Sequence, residues 1–228
     1  MSSEVSDEPS YPSGEGARVS LRPHLACFLG SASPRVLIGN AVALWAVRAG
    51  LGLPGPGDVV VVLGIMALWP VMEWVAHRYI LHLRPRTVWG VRVDPMFAQA
   101  HRAHHREPGR LRTLFLPLPV ILPLVPIQVA LWWALMPTAA LALTAAAAFA
   151  TMAVAYEWAH YLAHTQYQPA WAWVARVQRN HRLHHFRHER NWYAFLCPHV
   201  DAALGTDPPL DGLTRSSTTR TLGVDEVA

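Results

Sequence analysis

Four apolar runs, each close to twenty residues, leave this chain few folds to choose from. They cover Val36 to Leu53, Asp58 to about Val75, Leu114 to Met136, and Thr138 to about Tyr156. A hydrocarbon core of about 30 Å needs about 20 apolar helical residues, so each run can span a bilayer. The first is weakened by Arg48 and three glycines, and the third carries Pro117, Pro119, Pro123 and Pro126 in its first half. Interior proline removes a backbone donor and clashes with the preceding turn, so the third helix should start late or kink. A soluble bundle is the competing architecture, but four such runs in 228 residues exceed what a small core needs. With 52% hydrophobic and only 15% charged residues, the chain is also unlike a disordered one.

The connections alternate in character. Pro54-Gly55-Pro56-Gly57 and the Met136-Pro137 step are short and uncharged, which pairs runs one and two, and runs three and four, as hairpins. The other segments are basic: residues 84–112 hold seven Arg, residues 176–190 hold five, and Arg18, Arg22 and Arg35 precede the first run. By the positive-inside rule both termini and the central loop lie in the cytoplasm. Trp45, Trp69, Trp74, Trp132 and Trp133 lie towards run ends, where an aromatic belt would sit. All 19 basic residues are Arg, and they form no aromatic-interleaved face, so nucleic acid is not the expected partner.

Three parts are expected. Residues 1–20 are polar and lack the basic start and apolar core of a secretory signal, which suits a disordered leader. Residues 21–212 make a single membrane domain, and residues 213–228 a polar tail. Cys27 and Cys197 suffice neither for a disulfide scaffold nor for a cysteine zinc site.

Histidine carries the chemistry. Eleven of the 13 histidines fall between His77 and His188, ten of them in four groups. Residues 73–82 read EWVAHRYILH, with Glu73 ahead of His77 and His82. Residues 101–105 read HRAHH, giving His101, His104 and His105. Residues 157–164 read EWAHYLAH, with Glu157 ahead of His160 and His164, and residues 181–185 read HRLHH, giving His181, His184 and His185. Side chains at i, i+3 and i+4 share a helix face, so each HxxHH projects three imidazoles to one side. His77 and His82 stand about 140° apart on an ideal helix and need a helix end or a distortion to converge.

Depth in the membrane agrees. His77 lies about 28 Å of helix past Asp58, and His160 about 33 Å past Thr138, both at the end opposite the hairpin turns. All four groups can therefore meet in one cap on the Arg-rich side. Each half of the chain supplies five histidines, and ten neutral nitrogens suit two adjacent metals better than one. Imidazole serves Fe, Zn, Cu and Ni, but ten ligands exceed both structural and catalytic zinc sites. Two irons could instead activate O2 to attack an unactivated C–H bond. Glu73 and Glu157 are placed to accept the second ring N–H of a ligand histidine. His24 and His199 are isolated and read as non-ligands, as does His188.

These four groups, in this order, resemble the fatty acid hydroxylase superfamily, which includes sterol desaturases and carotenoid hydroxylases. The likeness covers roughly residues 58–207. The stretch Arg179 to Phe186 and the later Leu204-Gly205-Thr206 look like bacterial members most similar to fatty acid hydroxylases. His188 and Ala194 depart from that pattern, where Asn and Gly are common. The resemblance implies an all-α fold, a four-helix transmembrane bundle under a histidine-rich cytosolic helical cap. It implies ten metal ligands, namely His77, His82, His101, His104, His105, His160, His164, His181, His184 and His185. Two iron ions would bind there, with zinc as a substitute in isolated protein. The implied reaction is O2-dependent hydroxylation of a lipid acyl chain in a bacterial inner membrane. Two electrons per turnover would come from a separate ferredoxin or cytochrome b5-like donor, since the chain shows no flavin, haem or iron–sulfur motif. A carotenoid or sterol substrate is the alternative within this class. A membrane metal-handling protein is the alternative outside it, and would need ionisable residues along the span middles.

Overall fold

The computed structural model describes residues 11–224. In chain order the helices are α1 (Glu15–Val19), α2 (Arg22–Gly30), α3 (Ala32–Ala49), α4 (Pro56–Val75), α5 (Met96–Arg106), α6 (Leu111–Leu114), α7 (Leu118–Leu135), α8 (Ala139–His164), α9 (Ala172–Phe186) and α10 (His199–Ala203). A π-helical turn, Ala76–Leu81, continues α4 without a break. A small antiparallel hairpin, β1 (Arg86–Val88) with β2 (Val91–Val93), precedes α5. Its tip, Trp89-Gly90, has both φ angles positive, as a two-residue hairpin turn requires.

Among the described residues three stretches are long and apolar enough to cross a membrane: Pro56–Leu81, Leu111–Leu135 and Ala139–His164. A fourth is formed if α2 and α3, which meet at 86°, are one broken span. Helix α8 is the axis, packed against α3, α4 and α7, and against α9 at its cap end. Its Ala142, Ala145, Ala146, Ala147, Ala148 and Ala150 are all buried. Lipid offers no hydrophobic drive between helices, so close backbone approach at small residues holds such a bundle. The large side chains turn outward instead: Val59, Val60 and Leu63 of α4, and Leu122, Ile127 and Leu131 of α7, are all exposed. Apolar surface on that scale belongs against acyl chains. The chain is built as a membrane protein.

One charged knot fixes the hairpin end. Arg48 of α3 donates to both Asp58 oxygens of α4, at 2.9 and 2.7 Å. Thr144 of α8 donates to Asp58, and Gly55 N–H caps the same carboxylate at 2.8 Å. Removing one partner of such a buried pair costs about 3–5 kcal/mol, so the knot locks three helices together. Helices α4 and α8 start side by side there, since a Cβ on Gly57 would stand 3.4 Å from the Leu141 side chain. Both therefore end in the cap.

Proline acts as its positions predict. The helix of the third run begins only at Leu118, with Pro117 as its N-cap and Pro119 in the first turn. No intrahelical donor is needed there. Pro123 and Pro126 are accommodated inside α7.

Three expectations change. Trp69, Trp74 and Trp132 are buried rather than set in a belt, because their indole faces pack between helices. Trp69 also donates to Glu73 at 3.0 Å, and Trp74 to Thr206 at 2.9 Å. Of the expected leader, residues 1–10 lie outside the described residues, while α1 is helical with Ala17 buried. Arg18 O holds it down by accepting from Gln168 N–H at 2.8 Å. The polar tail is also structured over residues 213–224, where it forms a strap across the cap. Ser216 N–H donates to Arg187 O at 2.9 Å, Thr218 Oγ1 to Glu189 Oε1 at 2.7 Å, and Leu222 is buried.

Candidate metal centre

The π-helical turn resolves the awkward pair. An i→i+5 hydrogen-bond pattern widens the turn, so residues five apart come onto one face. His77 and His82 accordingly converge, with ring centroids 5.1 Å apart. Helices α5, α8 and α9 bring the other eight histidines to the same place.

The ten imidazoles divide into two fives. His77, His82, His101, His105 and His184 form the first group, and His104, His160, His164, His181 and His185 the second. Within each, the candidate ligand atoms all lie within 4.8 Å of one another. The division does not follow the halves of the chain. His184 crosses from the second half into the first group, and His104 crosses the other way. Helical geometry explains the exchange. Relative to residue i, i+4 is rotated about 40° one way and i+3 about 60° the other. The outer two histidines of each HxxHH therefore serve one group while the middle one reaches its neighbour. The groups touch, with the His105 and His185 rings 4.1 Å apart.

The ring nitrogens are aimed as ligands would be. His77, His105 and His184 each use Nδ1 to reach a main-chain carbonyl, at Tyr193 (2.7 Å), Thr219 (2.9 Å) and Asn191 (2.7 Å). A carbonyl only accepts, so the proton is on Nδ1 and Nε2 carries a lone pair. Yet Nε2 of His184 and Nε2 of His105 stand 3.2 Å apart. No proton remains to bridge them, whereas a cation between them would satisfy both. Nε2 of His77, His82 and His101 are likewise buried, without hydrogen-bond partners among the described residues. In the second group, Nε2–Nε2 separations are 3.0 Å (His104–His164), 3.1 Å (His104–His160) and 2.7 Å (His164–His181). Adjacent ligands at right angles on one ion, with bonds of about 2.0–2.1 Å, stand about 2.9 Å apart. Each group can hold one metal ion.

Electrostatics keep the cap ready. His82, His101, His104, His181, His184 and His185 are held well below the usual histidine range, by burial first and by neighbouring rings. Burial pushes His105 down to about 3. An unfolded chain takes up protons below its ordinary value of 6.5, while the folded cap refuses them. Stability is thus full above that value and lost as pH falls towards the folded values, by up to about 1.4 kcal/mol per group per pH unit. Metal-free protein in detergent should melt at a lower temperature at about pH 5.5 than at about pH 7.5. An unchanged Tm across that interval would show that the rings are not buried as neutral bases.

Glu73 does other work than expected. Among the described residues neither Glu73 nor Glu157 accepts from a histidine ring. Glu73 Oε1 accepts from the N–H groups of Phe195 (2.9 Å) and Leu196 (2.7 Å), and Oε2 from Trp69. The Tyr193 carbonyl already occupies Nδ1 of His77, which removes the bond Glu73 would have made. Glu157 is buried one turn before His160, and its Oε2 has no hydrogen-bond partner among the described residues. Asp201 complements Glu73 by accepting from Tyr193 N–H (2.8 Å) and Ala194 N–H (2.9 Å). Four consecutive amides are thus pinned by two carboxylates. The pinned loop presents the Tyr193 carbonyl to His77 and lays the Phe195 ring against both groups. Its centroid is 5.3 Å from His77, 5.1 Å from His160 and 4.5 Å from His181. Thr206 of the Leu204-Gly205-Thr206 motif braces this loop, donating to Asp201 Oδ1 at 2.7 Å.

Tyr193, Asn191 and Thr219 contribute main-chain carbonyls, a role that leaves no trace in residue type. Phe195 had no pattern to mark it. The three outlying histidines belong to neither group. His24 is buried against the Ala17 carbonyl, and His188 Nδ1 accepts from Arg190 N–H.

Comparison with known proteins agrees with this geometry. The fatty acid hydroxylase profile matches residues 62–206, a segment that holds all ten histidines. Two curated relatives are dihydroceramide fatty acyl 2-hydroxylases of Arabidopsis thaliana. One is 26% identical over 188 residues, covering 82% of this chain and 76% of its own length. The other is 27% identical over 174 residues, covering 73% and 69%. The solved structure of full-length scs7p, in which only the hydroxylase domain is visible, superposes with a TM-score of 0.66. It is 19% identical and covers 81% of this chain and 68% of that one, a likeness of fold. With the profile spanning well over half of its length and both histidine groups, the chain belongs to the fatty acid hydroxylase family.

Proposed function

We propose that this protein is a membrane-bound non-haem di-iron oxygenase that hydroxylates a C–H bond of a lipid acyl chain. The observation that carries the reading is the pair of interleaved five-histidine groups, with unpartnered Nε2 atoms facing each other, in a chain whose relatives are fatty acyl hydroxylases. The ten histidines would hold two irons, and zinc would compete for the same nitrogens in isolated protein. Bound iron would supply the activation of O2 needed to cleave an unactivated C–H bond.

The chain's own residues do the rest. Buried rings exclude water from the centre, and Nδ1–H bonds to fixed carbonyls hold His77, His105 and His184 in the ligating tautomer. The loop pinned by Glu73 and Asp201 sets Phe195 against both groups, where an acyl chain would meet it. The spans Pro56–Leu81 and Ala139–His164 end at the centre, so a chain rising from the bilayer reaches the metals at the boundary. Electrons come from a separate ferredoxin or cytochrome b5-like donor. The centre and both termini face the cytoplasm, across a bacterial inner membrane.

Lipid mass spectrometry of a host with and without the protein tests the reading, with acyl position 2 examined first because the relatives are named for it. An acyl lipid heavier by one oxygen atom is expected, together with two irons per purified chain. New carotenoid or sterol products alone would move the substrate to the alternative class. An acyl lipid lighter by two hydrogens would make the enzyme a desaturase.

A further inference from the structure

A cavity of about 250 Å³ opens beside His82 of the first group, lined by Arg78, Arg84 and Arg190 with Glu189, Tyr79 and Tyr193. Three guanidinium groups face one carboxylate. Glu189 Oε1 accepts from Thr218 and lies 4.0 Å from Arg190 Nε, while its Oε2 has no hydrogen-bond partner among the described residues. Among the described residues neither Arg78 nor Arg84 forms an ion pair.

One of the guanidinium groups is held in place without a counter-ion. Arg78 lies over the rings of Trp74 (4.9 Å), Tyr79 (5.2 Å) and Tyr193 (5.8 Å), contacts that orient a cation without neutralising it. The end of the Arg84 side chain lies close to Gly223 of the strap. A Cβ on Gly223 would meet Arg84 Nη2 at 2.5 Å, and the φ of +69° at Gly223 is one that favours glycine. Arg78 also belongs to the last turn of the span Pro56–Leu81, where Tyr79 and Ile80 are exposed towards lipid. The cavity is therefore at the bilayer boundary.

We infer that this cavity binds the phosphate of an acyl lipid headgroup, making phosphate-bearing lipids the substrate class drawn to this centre. Three forked guanidinium groups offer more donors than the two oxygens of a fatty acid carboxylate can take. They suit the oxygens of a phosphate, which arginine pairs with two at a time. The inference rests on the proposed function only in taking a lipid as the source of the phosphate.

The full chain in neutral detergent, titrated by calorimetry, provides the test. The probes are dihexanoyl phosphatidate, inorganic phosphate and dihexanoylglycerol. Phosphatidate should bind at least about tenfold more tightly than inorganic phosphate, and the neutral glyceride should not compete. Binding should weaken about tenfold or more in the Arg84→Gln/Arg190→Gln double variant, with Tm and metal content unchanged. These two arginines are exposed, which spares the stacked Arg78. Equal affinity of wild type and variant for phosphatidate would overturn the inference. So would equal binding of inorganic phosphate, or a variant that loses only reduction by an acidic donor protein. Product formation without phosphatidate binding sinks this inference alone. Phosphatidate binding by a chain that holds no metal sinks the oxygenase reading and leaves the cavity assignment standing.

Discussion

His184→Ala is expected to empty the group built mainly by the first half of the chain, although His184 itself lies in the second. Metal content should fall from two ions to one, and hydroxylation should drop at least about a hundredfold, since even outer partners of ligands cost 10–100-fold. His104→Ala should do the same to the other group. Double variants identify which group each histidine serves. His184→Ala with His77→Ala removes two members of one group and should leave one ion. His184→Ala with His160→Ala strikes both groups and should leave none. If each HxxHH served its own half, those two results would be reversed. His188→Ala, outside both groups, should keep two ions.

Ending the chain at Gly212 is the second large perturbation. It removes the Thr219 carbonyl that fixes Nδ1 of His105, the hydroxyl that Glu189 accepts from, and the buried Leu222. His105 would then hold a buried N–H without a partner and a ring free to turn. Metal affinity is expected to fall about 10–100-fold, the range for losing an outer hydrogen bond to a ligand histidine. Competition with a chelator, monitored by metal retention, reads this directly. Thr219→Ala keeps the carbonyl and should keep the affinity. If Thr219→Ala and the truncation behave alike, the strap acts through its side chains and the carbonyl is incidental.

Much of this was legible in the residues, and the limits have physical causes. Apolar length marks the helices long enough to span, because the bilayer imposes a thickness that soluble folds lack. Eight of the ten histidines stand out through helical spacing, and His77 with His82 only through nearness in sequence. Their sorting into two groups needs an angle as well as a face. The 40° and 60° offsets within HxxHH matter only once two such helices, α5 and α9, lie beside each other. The π-helical turn at His77 was visible only as a misfit, a pair about 140° apart on an α-helix. Glu73 illustrates the harder case. Its neighbours in sequence suggested a histidine partner, but its oxygens go to amides of a loop more than a hundred residues away. The tryptophans misled for a related reason: a large amphipathic ring near a span end can serve a membrane boundary or a helix contact equally well.

The crossing of His184 also bears on how the protein is made. A ribosome releases the chain from its N-terminus, and the first group then has four of its five histidines early. The fifth arrives only 79 residues after His105. The second group in turn depends on His104, synthesised long before its companions. Neither histidine group is complete until α9 has emerged and docked, so a metal held by both would be captured at the end of assembly. Half-made chains would then hold a metal loosely or not at all. Two separately expressed halves should each fail to retain metal, and regain it when brought together.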